Sequence, residues 1–183
     1  MVKFMKDIPP NEALDELIKP YLIVTSSDGT KSDAMTTVWA SQVSFEPPMV
    51  MISVKKNRKT HELIENSGEF VVNTLNHNQK KVADYCGHTS LKNQDKINEQ
   101  DIPVQSASKV MAPLLKDSPS SMECKVFSRQ VCGDHTVFIG EVVAAQKEEG
   151  LPVGMFKNDV IEPKKKLLPF SAIRANILCT ARI

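Results

Sequence analysis

SDAMTTVWASQVSFEPPMVMISVKKNRKTHELIENSGEFVVN, residues 32 to 73, sets small hydroxyl residues, the chain's one tryptophan and a basic loop among apolar segments. Side chains alternate along a strand, so Met35, Thr37 and Trp39 are expected on one face and Thr36, Val38 and Ala40 on the other. One face then offers hydroxyl and backbone hydrogen bonds to the rim of an aromatic ring system while the other packs a core. Sixteen residues past Trp39 lies Lys55-Lys56-Asn57-Arg58-Lys59-Thr60, four cations and two polar side chains just before a predicted helix. Free amide N–H groups at a helix start, together with the helix dipole, favour an anion there. The mixture suits a flat, polar-edged ligand with a phosphate tail.

Outward from this stretch the chain reads mostly as strands. Segments 20–26, 35–45, 49–54, 69–75, 122–131 and 135–145 are rich in β-branched or apolar residues. Ser27-Asp28-Gly29-Thr30 has turn composition, and Glu46-Pro47-Pro48 is expected to break the sheet ladder, since proline cannot donate to it. Six strands with hairpin-like links predict an antiparallel barrel or sandwich. Two helices are predicted. Residues 60–67 have Thr60 as N-cap, Glu62 in the first turn and Gly68 at the end; residues 78–86 have an asparagine cap and Gly87 as terminator. Both are too short to stand alone and must pack on the barrel. Residues 87–120 read as a partly helical excursion followed by loop, and Lys164-Lys165-Lys166 as a solvated face.

At 183 residues the chain is expected to form one domain, residues 1–183, with a substantial core. A net charge of +1 argues against nucleic acid as a partner. No apolar stretch approaches the ~18 residues of a membrane span, and MVKFMKDIPP lacks a signal-peptide core, so a cytoplasmic protein is expected. The four cysteines, at 86, 124, 132 and 179, have neither C-x-x-C nor metal-site spacing and read as reduced core thiols. Cys124 and Cys132 fall in one predicted strand, about 26 Å apart if extended, beyond disulfide reach. There is no G-x-G-x-x-G, no G-x-x-x-x-G-K-[ST] and no G-x-S-x-G, and His61-Glu62 lacks the second histidine of a zincin helix.

The DAMTTVWASQVSFEPP segment, the loop ending in Arg58-Lys59-Thr60, the SGEFVVN strand, the Asp95-Lys96 pair and the Gly133-Asp134-His135 turn together resemble the flavin reductase-like family, spanning about residues 20 to 145. The resemblance implies an FMN-binding split β-barrel of Greek-key antiparallel type, mainly β with short helices. It implies Asp33, Met35, Thr36, Thr37, Val38, Trp39, Ser53, Lys55 and Asn73 around the ring and ribityl chain, and phosphate contacts from Arg58, Lys59 and Thr60. It further implies a cationic contact from Lys96, a covering aromatic at Phe170, and a homodimer with flavin at or near the subunit interface. The implied activity is an NAD(P)H:FMN oxidoreductase passing electrons to free flavin, ferric complexes or a partner protein. A flavoredoxin-like carrier, holding FMN and exchanging electrons with protein partners, is the alternative. Nothing in the sequence separates NADH from NADPH.

His135 is expected near the reacting face. Hydride transfer needs donor and acceptor held in contact and aligned, not a general base, so its role is positioning and electrostatic tuning. Asp33 stands where many relatives carry asparagine. As a carboxylate it would accept from flavin N3–H but donate to neither carbonyl, and it is expected to lower the flavin potential. Each residue also has a plainer reading: Trp39 as core, Arg58 and Lys59 as surface charges, Ser53 and Asn73 as strand residues bonded to a loop, Lys96 as solvent-exposed, and His135 as a turn histidine bonded to Asp134.

Overall fold

A computed structural model describes residues 5–89, 96–99 and 101–163. Seven strands form one antiparallel sheet: β2 (Leu22–Ser27), β3 (Ser32–Thr37), β4 (Ala40–Phe45), β5 (Pro48–Lys55), β6 (Glu69–Thr74), β9 (Ser120–Cys132) and β10 (His135–Lys147). Their order is β3-β2-β6-β9-β10-β5-β4. Two small sheets flank it, one of β1 (Lys19–Pro20), β11 (Gly154–Phe156) and β12 (Asp159–Ile161), the other of β7 (Val104–Gln105) and β8 (Leu114–Leu115). The helices are α1 (Pro10–Asp15), α2 (Lys59–Ser67), α3 (Lys80–His88) and α4 (Lys96–Glu99).

Strands β3 and β4 adjoin in sequence yet lie at opposite ends of the sheet order, and this is the split of the barrel. The segment expected as one strand over 35–45 breaks at Val38-Trp39, which turns the chain from one edge to the other. The Ser53 amide donates to the Trp39 carbonyl at 2.9 Å, tying this corner to β5. Pro48 opens β5, a first-residue position where its missing N–H costs no interior ladder bond.

Alternation sets the core. Leu22, Val24, Met35, Val50, Ile52, Val54, Phe70, Val72, Cys124 and Phe138 fill the barrel, with Ile64 of α2 against them. Every residue of β2 is buried because its other face is also covered: Tyr21, Ile23 and Ala34 pack against Ala83 and Cys86 of α3 and Ile97 of α4. Gly140 is required by close approach, since a Cβ there would lie 2.5 Å from Phe70 Cζ and 2.9 Å from Cys124 Cβ. Gly140→Ala is expected to lower stability by about 2 kcal/mol by overpacking, read as a lower urea midpoint at unchanged slope.

Helix α2 begins one residue before the expected Thr60, with Arg58 at the N-cap and Gly68 closing it at φ +69°. The second helix is preceded by a short 3-10 turn at His77–Gln79, where Asn76 and Gln79 form a capping box, and Gly87 lies inside α3 instead of ending it. Cys86 and Cys124 are buried free thiols, but Cys132 is exposed at the β9–β10 turn, contrary to the core reading. Among the described residues no helix is long and apolar enough to cross a membrane. Phe170, Cys179 and the Lys164–Lys166 run lie outside the described residues.

Candidate functional site

The break at Val38-Trp39 decides the site. Held by its amide bond to Thr37 Oγ1 at 3.2 Å and by its carbonyl to Ser53, Trp39 projects its ring half-exposed instead of into the barrel. It meets His135, the first residue of β10, with ring centroids 4.6 Å apart and tilted 50°. Gly133 at φ +61° makes the preceding turn, and Asp134 follows it. His135 Nδ1 lies 2.7 Å from Asp134 Oδ1. An ionised carboxylate only accepts, so Nδ1 carries the proton and donates. That bond, then the charge of His135 and of Lys55, holds the Asp134 carboxyl below the usual carboxylate range.

The register of β10 on β5 sets His135 beside Lys55, whose ammonium is 3.7 Å from Asp134 Oδ2. From Lys55 the chain turns directly into α2: the Arg58 amide donates to Lys55 O at 3.0 Å, and Lys56 bonds back to the His135 turn through Asp134 O and Gly133 O. No side chain caps α2, so the first amides of the helix have no side-chain acceptor. Arg58 Nη2 reaches Gly87 O at 3.4 Å and Lys59 pairs with Glu62 at 2.7 Å. A polar hollow of about 340 Å³ lies along this turn, between Lys56 and Asn66. Thr36 closes the opposite side; its hydroxyl donates to Ala83 O at 2.5 Å and its side chain packs on Gly87.

Trp39, His135 and Lys55 thus meet at one corner of the barrel, and from Lys55 a short turn leads to Arg58 and Lys59 at the start of α2. Other expected contacts are corrected. Met35 is 5% exposed and packs inside the barrel, because the strand's alternation turns it inward. Asn73 is fully buried and all its partners are protein: its amide donates to Ile23 O and Thr25 Oγ1, and its carbonyl accepts from Leu115 N and Ser121 Oγ. Thr60 is fully buried and gives its hydroxyl proton to Asp33 Oδ2 at 2.6 Å. Lys96 is 3% exposed, paired with Asp33 Oδ1 at 2.9 Å and bonded to Ala34 O and Thr89 O, so its three protons are used inside the protein. Asp33 is thus buried, 3% exposed, with one oxygen paired to Lys96 and the other accepting from Thr60.

His61 of α2 is half-buried with Nε2 2.8 Å from Thr136 Oγ1 and its ring edge-on to Phe138, and burial lowers its pKa. The sequence reading does not single out Lys56 and the Gly87 carbonyl as supports of the basic turn. Lys56 was visible as part of the cation run, whereas nothing local marks Gly87. Among the described residues no cluster of His, Cys, Asp and Glu is arranged to hold a metal ion. An apolar hollow of about 460 Å³, lined by residues including Leu22, Val50, Val72, Met122 and Val142, opens towards the other end of β10.

The Trp39–His135 pair stands beside an uncapped, cation-rich helix start. Residues 14–163 match the family described as the flavin reductase like domain, and the chain belongs to that family. An uncharacterised protein of Pyrococcus abyssi is 31% identical over 138 residues, 75% of this chain and 78% of its own. The NADH-dependent FAD reductase of Streptomyces globisporus is 30% identical over 125 residues, 68% of each chain. Among solved structures, an NADH:FAD oxidoreductase of Streptomyces globisporus superposes with a TM-score of 0.79 at 22% identity, covering 88% of this chain and 99% of that one. Flavoredoxin from Methanosarcina acetivorans gives 0.74 at 24% identity, with 92% and 94% covered. At these identities the superpositions establish the fold, a split barrel.

Proposed function

We propose that this protein binds FMN and reduces it with NADH or NADPH, passing the electrons to free flavin, a ferric complex or a partner protein. The observation that carries this reading is the junction at one rim of the exposed Trp39–His135 pair with the uncapped α2 turn bearing Lys55, Arg58 and Lys59. The residues present fit a phosphorylated flavin: an uncapped helix start and three cations suit one phosphate group, and half-exposed aromatic surface suits a flat ring. Bound there, a flavin supplies acceptance of a hydride and its onward release as electrons. The chain's own part is to hold and orient. Arg58, Lys59 and the first amides of α2 bind the phosphate. Trp39 offers apolar surface, and Asp134 fixes the His135 ring with Nδ1–H bonded and Nε2 free to meet an incoming nicotinamide or the ring edge. The related NADH-dependent FAD reductase supports a nicotinamide donor; its flavin is FAD, so the choice of FMN rests on the single cationic turn.

The test is the visible spectrum of the purified protein, followed anaerobically after NADH and then NADPH. A bound flavin that bleaches within seconds supports the reductase and identifies the donor. Flavin that bleaches only with dithionite supports the flavoredoxin-like carrier instead. Protein that takes up no FMN overturns both.

The second part of the proposal is a homodimer. Phe45, Phe127, Val131 and Val43 are 73%, 65%, 57% and 47% exposed on β4 and β9, while α2, α3 and α4 pack mainly on β2 and β3. Apolar surface of this extent marks an interaction face. Sedimentation on dilution is expected to show dimer dissociation together with FMN release; monomers that keep FMN would contradict it.

A further inference from the structure

The flavin-binding reading leaves the most deeply buried charges near the site, Asp33 and Lys96, without a task. Their side chains are each 4% exposed and lie 2.9 Å apart. Asp33 also accepts from Thr60 Oγ1 at 2.6 Å, and Thr60 is the second residue of α2. One hydroxyl therefore separates a buried carboxylate from the uncapped first turn of α2. A negative charge at that place opposes an anion at the same turn, and burial strengthens the opposition because little water screens it. Lys96 cancels it. Its ammonium also donates to Ala34 O on β3 and Thr89 O beyond α3, which fixes its position and uses its protons.

We infer that Lys96 sets the preference of this site for phosphate-bearing flavins without touching the phosphate, by neutralising Asp33 beneath the first turn of α2. The inference rests on the phosphate site proposed above. It assigns to Asp33 and Lys96 the role of a matched pair: the carboxylate anchors Thr60, and the ammonium removes the electrostatic penalty of that anchor. Lys96 is a positioning and specificity residue, and its effect runs through Asp33.

The experiment compares FMN with riboflavin, which lacks the phosphate, by quenching of flavin fluorescence on wild type, Lys96→Met, Asp33→Asn and the double variant. Lys96→Met is expected to reduce the FMN-to-riboflavin affinity ratio about tenfold, because the carboxylate charge that Lys96 no longer neutralises acts only on the phosphate-bearing ligand. Asp33→Asn, which leaves Lys96 uncompensated, is expected to raise the ratio. The double variant, with neither charge, is expected to return to within about threefold of wild type, since replacing both partners of a buried pair is often neutral.

Equal losses for FMN and riboflavin in Lys96→Met would show a merely structural role and overturn the inference. So would a double variant as poor in the ratio as Lys96→Met, which would mean direct contact between Lys96 and the phosphate. Should Lys96→Met fail to fold, Asp33→Asn carries the test alone, and a ratio that falls or stays fixed overturns the inference. A wild type that binds riboflavin as tightly as FMN overturns the phosphate site itself, an outcome distinct from the others.

Discussion

Removing Arg58 and Lys59 together will weaken FMN binding by about a hundredfold while riboflavin binding stays within about threefold, since each charge-assisted bond to a phosphate is worth ~1.5 kcal/mol. The two cations are half-buried at the start of α2, where no side chain competes for the first amides. Neither is fully free: Arg58 holds the Gly87 carbonyl and Lys59 holds Glu62. A phosphate would draw Lys59 away from Glu62, an exposed pair of small energetic weight. Because the site is at the surface, wild-type FMN affinity is expected to fall with added salt, with a shallower dependence in Arg58→Ala/Lys59→Ala. Fluorescence titration with both ligands at two salt concentrations reads all of this. An FMN loss of under threefold would place the phosphate elsewhere.

Glu123→Ala is expected to cost about 2 kcal/mol of folding stability, because it removes several charge-assisted hydrogen bonds to one loop at once. Glu123 lies on β9 with no exposed surface, yet it faces a loop and not a cation. Its oxygens accept from the Ser108 amide at 3.0 Å, the Ser108 hydroxyl at 2.9 Å and the Lys109 amide at 2.6 Å. Glu69 holds the same loop through the Met111 amide at 2.9 Å. Burial pushes the Glu123 carboxyl up, but the bonds from Ser108 and Lys109 outweigh it and hold the group below its ordinary value.

The sign follows from that direction. A carboxyl whose pKa is lower folded than unfolded contributes stability in full above the unfolded value, and that contribution disappears as pH falls through the folded value. Urea midpoints at pH 7 and about pH 3.5, below the unfolded carboxyl's ordinary ~4.3, should differ more for wild type than for Glu123→Gln. Equal differences would show that the carboxylate charge does not hold this loop.

The basic turn and α2 were legible because their signals are local: a run of cations, a helical stretch and Gly68 within fourteen residues. The strands were legible because apolar side chains line the barrel interior. The break between β3 and β4 was not, since TTVWAS continues the strand composition on both sides and the corner is imposed by the Ser53–Trp39 bond across the barrel. Asn73 was misread for a related reason. A polar residue in an apolar strand points equally to a ligand or to a backbone in need of partners, and its four partners come from positions 42 to 50 residues away.

By itself the sequence determined an antiparallel β architecture, a run of cations from Lys55 to Lys59 leading into a short helix, and the glycine that closes that helix. These follow from chemistry carried by neighbouring residues, which no long-range contact need supply. Only the tertiary structure decided that Trp39 turns outward onto His135, that Met35 turns into the core, and that Lys96 spends its protons on Asp33, Ala34 and Thr89. Those outcomes depend on which face of a strand is covered and which buried charge finds a partner. Both are settled by contacts between segments far apart in the chain.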